Sequence, residues 1–384
     1  MNNFTFSNPT KIVFGEGQIK ELANLLPANA RILLTYGGGS IKKNGVYDQV
    51  VKALDGKTWF EFGGIEPNPH YETLMKAVEL VNKEKLDFLL PVGGGSVIDG
   101  TKLIAAAIHF NGEPWDIMAK NLPFHSALPI GCVLTLPATG TESNGNSVIT
   151  KAATQEKLAF GSPLVYPQFA ILDPTTTYSL PPRQIANGAV DAFVHTMEQY
   201  LTYPVNAKVQ DRFAEGLLMT LVEEGPKALK DPTNYEVRSN VMWAATMALN
   251  GLIGVGVPQD WATHMIGHEI TAMHGLDHAQ TLAIVLPAVM QHQRGKKREK
   301  LIQYGRRVWN LQDTNDEKII DGAIAATKKF FEEMGTPTTL SGYGISRDSI
   351  PKLVDMLKKH NLLALGEHGA ITPEASHEIL ELAA

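Results

Sequence analysis

Hydrophobic periodicity changes character once along this chain, and that change narrows the folds open to it. Up to about residue 180, short apolar runs alternate with amphipathic stretches. Strands are expected at Lys11 to Phe14, Ala30 to Tyr36, Thr58 to Gly63, Leu86 to Val92, Leu128 to Leu136 and Phe169 to Leu172. Helical spacing falls between them at Ile19 to Leu26, Ile41 to Leu54, Tyr71 to Glu84 and Val97 to Phe110. Such alternation makes a parallel, doubly wound α/β layer. Proline density rises at Asp173-Pro174 and Leu180-Pro181-Pro182, and beyond it the sequence reads as helix after helix from Gln184 to Lys359. The chain is therefore expected to hold an α/β dinucleotide-binding domain over 1–180 and an all-helical, metal-binding domain over 181–384. No repeat or low-complexity linker separates them, so a ligand cleft is expected where they meet.

Composition removes several function classes. Lys and Arg total 34 against 40 Asp and Glu, a net charge of −6 without a long run of one sign, so neither nucleic acid nor an anionic membrane is an expected partner. The basic stretch Arg294 to Lys300 reads as a solvated helix face. Ser239 to Gln259 is uncharged and long enough to span a bilayer, but Asn240, Asn250, Gly251, Gly254, Gly256 and Pro258 suit a buried helix and a turn. The first residues, MNNFTFSNPT, show no secretory pattern, so the cytoplasm is the expected compartment. A single cysteine, Cys132, excludes a disulfide within the chain and a sulfur-rich zinc site. A metal here would rest mainly on histidines and carboxylates.

Two glycine turns point to a dinucleotide. Gly93-Gly94-Gly95-Ser96 follows the apolar run LDFLLPV and opens the helix VIDGTKLIAAAIH. Glycines let the backbone approach an anion closely, and the unpaired amides of a new helix favour a pyrophosphate. Gly37-Gly38-Gly39-Ser40 repeats the feature after the strand ending at Tyr36, and neither turn is a G-x-G-x-x-G fingerprint. An acidic side chain at the adenosine ribose would accept from the 2′-hydroxyl and repel a 2′-phosphate. Glycine and serine stand there instead, followed by Lys42 and Lys43, which suits NADP(H) better than NAD(H).

A metal constellation lies in the helical half. Asp191 and His195 share a helix face in GAVDAFVHTMEQYL, among apolar neighbours that make an unsatisfied polar group costly. WATHMIGHEITAMHGLDHAQ then concentrates His264, His268, His274 and His278. Gly275 reads as a helix C-terminal cap, Asp277 as the cap of the next helix, and His278 as turned back towards the first two histidines. Asp191, His195 and further histidines give a site for Fe(II) or Zn(II). Spacing alone pairs His264 with His268 and does not decide which histidines bind.

Taken together, GGGSVIDGTK (93–102), LTLPATGTESN (134–144), AVDAFVHTMEQY (189–200) and the histidine run resemble the iron-containing, or group III, alcohol dehydrogenases over essentially the whole chain. YGGGSIKKNGVYDQV (36–50) is similar to the NADPH-dependent aldehyde reductase and butanol dehydrogenase branch. The resemblance implies a dehydroquinate-synthase-like fold with the active site between the domains, short-to-medium-chain aldehydes or alcohols as substrates, and a homodimer. It makes Asp191, His195, His264 and His278 the metal ligands and leaves His268 near the substrate as a proton-transfer candidate. By the same resemblance Gly94, Gly95 and Ser96 hold the pyrophosphate, with Asp99 a further cofactor contact. Thr135, Thr139, Asn144 and Lys157 line the rest of the cofactor path, and Gly37, Gly38 and Ser40 meet the 2′-phosphate. Members of the family use iron or zinc. The rival readings are an NADH-preferring butanol or diol dehydrogenase and a lyase on the same fold, the latter disfavoured because WATHMIGHEI offers no basic residues for a phosphorylated substrate.

Overall fold

The computed structural model describes all of residues 1–384, and the chain divides into two compact units. One comprises Ser7–Leu180 with Pro232–Met242; the other comprises Met1–Phe6, Pro181–Asp231 and Trp243–Ala384.

Eight strands belong to the first unit: β1 (Lys11–Phe14), β2 (Arg31–Thr35), β3 (Thr58–Phe62), β4 (Phe88–Gly94), β5 (Gly131–Leu136), β6 (Asn146–Lys151), β7 (Glu156–Gly161) and β8 (Phe169–Leu172). Six of them form a fully parallel sheet in the order β1-β8-β5-β4-β2-β3. Its helices are the single turn α1 (Leu22–Leu25), α2 (Val46–Ala53), α3 (Tyr71–Glu84), α4 (Gly95–Ala107) and the short α5 (Asp116–Ala119). Both faces of the sheet are covered, which is why β4 can be apolar along its length. Alternate residues of a strand point to opposite faces. Accordingly Leu33 and Leu89 pack with Leu74 and Val81 of α3 and Leu103 and Ile104 of α4. Ile32, Leu34, Phe88 and Leu90 pack with Ile19, Leu22 and, from α2, Val46 and Val50 on the other side. Cys132 is buried on β5 beside Ile98, Leu134, Ala170 and Met242 and serves as a packing residue.

Strand order reverses between β2 and β4: from β2 the chain steps outward to β3, and from β4 it steps the other way to β5 and β8. Ligands of open parallel sheets bind outside the carboxyl ends of the strands at such a switch point. The strands flanking it, β2 and β4, are the two that run into the glycine turns.

Some expectations change. The helix expected over Ile41 to Leu54 is a 3-10 turn at Ser40–Lys42 followed by α2, because Gly45 adopts a left-handed φ of 80° and restarts the helix. An antiparallel hairpin of β6 and β7, outside the main sheet, had no counterpart in the sequence reading.

The second unit is built from α6 (Pro182–Tyr200), α7 (Lys208–Lys230), α8 (Tyr235–Ala248, counted here from Trp243), α9 (Ala262–His274), α10 (His278–His292), α11 (Arg298–Arg307), α12 (Asp316–Glu333), α13 (Ile350–Lys359) and α14 (Pro373–Leu382). No helix is long and apolar enough to cross a membrane. Proline at its first turn suits the start of α6, and every residue from Ile185 to Tyr200 is buried. Phe193 anchors the helix, its ring 5.2 Å from that of Phe330 and 5.5 Å from that of Phe331. The basic stretch read as solvated is corrected here. Lys297 is 3% exposed and donates to Asp260 at 2.7 Å, to Glu367 at 2.8 Å and to the Leu201 carbonyl at 2.7 Å. Lys300 donates to Asp211 at 2.5 Å over the ring of Tyr200. A buried ammonium needs such partners, since an unpaired charge in the interior is far too costly.

Candidate metal centre and cofactor turns

Asp191 and His195 are one turn apart on α6 and buried at 3% and 4% exposure. His264 and His268 lie on α9, which starts sharply. Trp261 takes a left-handed φ of 63°, and the Asp260 carboxylate accepts from the amide of Ala262 at 2.8 Å. Gly275 ends α9 with φ 71°, and Asp277 forms a capping box with Gln280 that opens α10 at His278. The two-residue step between caps swings His278 back, so its ring lies 5.1 Å from that of His264 and 5.2 Å from that of His268.

Asp191, His195, His264 and His278 each bring one potential ligand atom into a group whose members lie within 4.8 Å of one another. Asp191 Oδ1 is 3.6 Å from His195 Nδ1 and 3.6 Å from His278 Nε2. That is long for a hydrogen bond and close to the roughly 3.4 Å between two donors sharing a tetrahedral ion with bonds of about 2.1 Å. One carboxylate and three imidazoles, without sulfur, suit a divalent first-row metal. The donor set therefore fits the ion that the fold family implies. His268 lies outside the group of four, although it is one turn from His264 and buried.

The sequence reading missed Glu198. It lies seven residues after Asp191 on the same face of α6, accepts from the Thr263 amide at 2.6 Å through Oε1, and meets His264 Nδ1 through Oε2. A carboxylate there keeps the proton on Nδ1 and would leave Nε2 as the candidate ligand atom. Burial pushes the Glu198 carboxyl up and the charge of Asp260 adds to this, while the Thr263 amide pulls it down. The signal in the sequence was a third acidic or histidine position at helical spacing in AVDAFVHTMEQY.

In the sheet unit the glycine turns differ in kind. A Cβ on Gly93 would lie 2.6 Å from Val97, on Gly94 2.9 Å from Leu136, and on Gly95 2.6 Å from Thr139 Oγ1, so the protein itself excludes side chains there. A Cβ on Gly38 would meet nothing within 4 Å. Ser96 lies in the first turn of α4, and Ser40 starts the 3-10 turn after Gly39. Thr135 is on β5 and Thr139 packs against Gly95.

Asp99 and Asn144 sit deeper, in a polar network. Thr141 Oγ1 donates to Asp99 Oδ1 at 2.6 Å, and the Val148 amide donates to its Oδ2 at 3.0 Å. Asn144 donates to the Gly140 carbonyl at 3.0 Å and accepts from the Asn146 amide at 2.8 Å. Lys102, which sequence reasoning also missed, is fully buried at the centre. Its ammonium donates to Thr141 O and Oγ1, to Asn144 O and to Asn146 O at 2.6–2.8 Å, and burial pushes its pKa down to about 8. Lys157, on β7, donates to Asn68 at 2.9 Å.

With this geometry in place, similarity to known proteins identifies the family. Residues 9–174 match the model for iron-containing alcohol dehydrogenases, and 185–383 match the C-terminal model of the same family. The chain is 62% identical over 386 residues to the NADPH-dependent aldehyde reductase YqhD of Escherichia coli K12, covering 100% of both proteins. It is 43% identical over 360 residues to a probable NADH-dependent butanol dehydrogenase 1 of Bacillus subtilis, covering 92% of this chain and 93% of that protein. Among solved structures it superposes on E. coli YqhD with a TM-score of 0.99 at 61% identity, covering 100% of this chain and 99% of the other. It superposes on NADH-dependent butanol dehydrogenase A of Thermotoga maritima with a TM-score of 0.95 at 39% identity, with the same coverage. Matched over both halves, the chain belongs to the iron-containing alcohol dehydrogenase family.

Proposed function

We propose that this protein is a metal-dependent aldehyde reductase, interconverting short-to-medium-chain aldehydes and alcohols with NADP(H). The observation that carries the reading is the group of buried Asp191, His195 and His264 with half-buried His278, ligand atoms within 4.8 Å, and Glu198 behind His264. When bound, the metal supplies a Lewis acid for the carbonyl oxygen and the nicotinamide supplies the hydride. Asp191, His195, His264 and His278 hold the ion, and Glu198 fixes the His264 tautomer. Gly94, Gly95 and Ser96 present backbone amides at the start of α4 to the pyrophosphate, where the helix dipole favours negative charge. Thr135, Thr139, Asn144 and Lys157 border the remaining path, and Asp99, held by the Thr141 hydroxyl and the Val148 amide, is a further contact. Gly37, Gly38 and Ser40 take the 2′-phosphate, since the open space over Gly38 leaves room for it. His268, its ring 5.2 Å from that of His278, delivers the proton to the forming alcohol oxygen, directly or through a water.

Two features of the reading go beyond the site: a homodimer, and a cytoplasmic location. Light scattering giving a monomer mass would remove the first, and fractionation of cells would test the second.

Consumption of NADPH with butyraldehyde tests the function. No turnover after loading with either Fe(II) or Zn(II) would overturn it, and elemental analysis of the purified protein distinguishes the two metals. Equal or better use of NADH would replace NADP(H) by the second reading, which the names of several relatives favour. His268→Ala is expected to lower kcat and shift its pH profile while metal stays bound; an unchanged kcat and profile would take His268 out of the mechanism.

A further inference from the structure

The turn that follows β2 carries a charge arrangement that its sequence did not suggest. Lys42, the last residue of the 3-10 turn opened by Ser40, is exposed, yet its charge has fixed partners. Its Nζ lies 3.0 Å and 3.1 Å from the two carboxylate oxygens of Glu61, 4.8 Å from the centroid of the Tyr36 ring and 4.7 Å from that of Tyr47. Tyr47 donates to the same carboxylate at 2.8 Å.

The pair lies at the surface, but two aromatic rings frame it as a cage. Tyr36 is the residue before the glycine turn, and its ring lies so close over Gly63 that a Cβ there would be 2.4 Å from it. The Tyr36 and Tyr47 rings meet edge to face at 6.4 Å, and the ammonium lies within cation–π range of both. Burial alone would raise the Glu61 carboxyl, but the hydrogen bonds from Tyr47 and Lys42 outweigh it and hold the group below its ordinary value, so Glu61 is ionised at neutral pH. The position of that carboxylate matters. Glu61 is on β3, in register with Leu34 of β2, so its charge lies beside the strand end where the reading above seats the 2′-phosphate. An uncompensated carboxylate there would repel the phosphate and favour a free 2′-hydroxyl.

We propose that Lys42 is a charge mask: it neutralises Glu61 within the Tyr36 and Tyr47 cage, so that the Gly37–Ser40 turn accepts a 2′-phosphate despite an acidic neighbour. Lys42 is then a specificity-determining residue that acts through Glu61 and not by gripping the phosphate itself. Lys43, the next residue and equally exposed, lies outside the cage. The inference rests on the NADP(H) reading and adds to it the source of the preference.

The test is a double-mutant cycle read as the ratio of kcat/KM for NADPH to that for NADH, with one aldehyde and the metal-loaded enzyme. Lys42→Met keeps the apolar stem between the rings and removes only the charge, and thermal melting of each variant reports whether the fold is kept. Lys42→Met should lower the ratio about tenfold, the effect of one exposed carboxylate on a nearby phosphate dianion through largely aqueous surroundings. Adding Glu61→Gln should bring the ratio back to within about twofold of the wild type. A ratio lowered by Lys42→Met and not restored in the double variant would mean that Lys42 binds the phosphate directly, and would overturn the mask. A ratio unmoved by Lys42→Met would overturn it too. A wild type that does not prefer NADPH refutes the cofactor reading and the mask together, whereas an NADPH-preferring wild type with an unmoved Lys42→Met ratio refutes the mask alone. Should Lys42→Met fail to fold, raising the salt concentration in Lys42→Gln gives the same decision: recovery of the ratio as Glu61 is screened supports the mask, and no recovery overturns it.

Discussion

Glu198→Gln tests whether the proposed site depends on the residue behind its ligands. Glu198 accepts twice, from the Thr263 amide at 2.6 Å and from His264 Nδ1. A glutamine keeps the shape but owns only one acceptor oxygen. If that oxygen faces His264, the amide NH2 meets the Thr263 N–H and two buried donors oppose each other. If it faces Thr263, the NH2 meets His264, the ring must accept at Nδ1, and the proton moves to Nε2, the ligand atom. The first arrangement costs about 1–3 kcal/mol for its unsatisfied buried donor, and the second puts a proton on the atom that would bind the metal, which the metal must displace. That agrees with the 10–100-fold loss of metal affinity usual for such partners, or about 1.4–2.8 kcal/mol. The assay is competition with a chelator at neutral pH, paired with melting of the metal-free and metal-loaded forms. At a metal concentration of about 100 Kd the wild type gains roughly 2.7 kcal/mol of stability from the ion, and a tenfold weaker site gains about 1.4. An unchanged chelator midpoint, or an equal loss of stability with and without metal, would show that Glu198 only packs α6 against α9.

Three further outcomes follow from the packing. Gly95→Ala puts a Cβ 2.6 Å from Thr139 Oγ1, so one of the two must move; a loss of about 1–3 kcal/mol in urea unfolding and a raised KM for NADPH are expected, and unchanged values would mean the turn adapts freely. Lys297→Met leaves Asp260 and Glu367 buried without their shared cation and should cost about 3–5 kcal/mol, measured by urea titration. Lys102 is held at about 8 by burial against an ordinary 10.5, so the unfolded chain binds more protons between these values, and folded stability should rise with pH across that window by up to roughly 3 kcal/mol. Comparing melts at pH 7.5 and pH 10 in the wild type and in Lys102→Met checks the sign: the variant should lack this gain, and an identical pH response in both would refute it.

Elements with a strong period were legible in the sequence, and tertiary choices were not. The alternation of Ile32, Leu33 and Leu34 between two cores follows from strand geometry, and the Gly275 and Asp277 caps follow from turn chemistry. Lys297 and Lys300 were misread because a cluster of like charges looks solvated unless its partners are known. Those partners, Asp260, Glu367 and Asp211, lie far away along the chain. The β6 and β7 hairpin is short and carries polar residues on both strands, so its period-two signal is weak. Helix α14 had a readable start that was passed over, Thr372 as N-cap followed by Pro373, with the Thr372 hydroxyl accepting from the Ala375 amide.

The choice among the histidines shows where spacing runs out and what takes over. On α9, His264 and His268 are equivalent by period, and a helix wheel would pair them. What separates them is α6, which presents Asp191, His195 and Glu198 at i, i+4 and i+7 on one face. Only His264 meets Glu198, and its ring stacks at 4.6 Å and 22° on that of His195. His268 is one turn further along, its ring edge-on to His264 at 6.3 Å. The third imidazole comes instead from His278, because the Gly275 and Asp277 caps turn the chain within a few residues and aim the first residue of α10 at Asp191. Under the proposed function, a donor set drawn from three helices in this way would leave His268 beside the ion and outside its group, where a proton donor for the product oxygen would be needed.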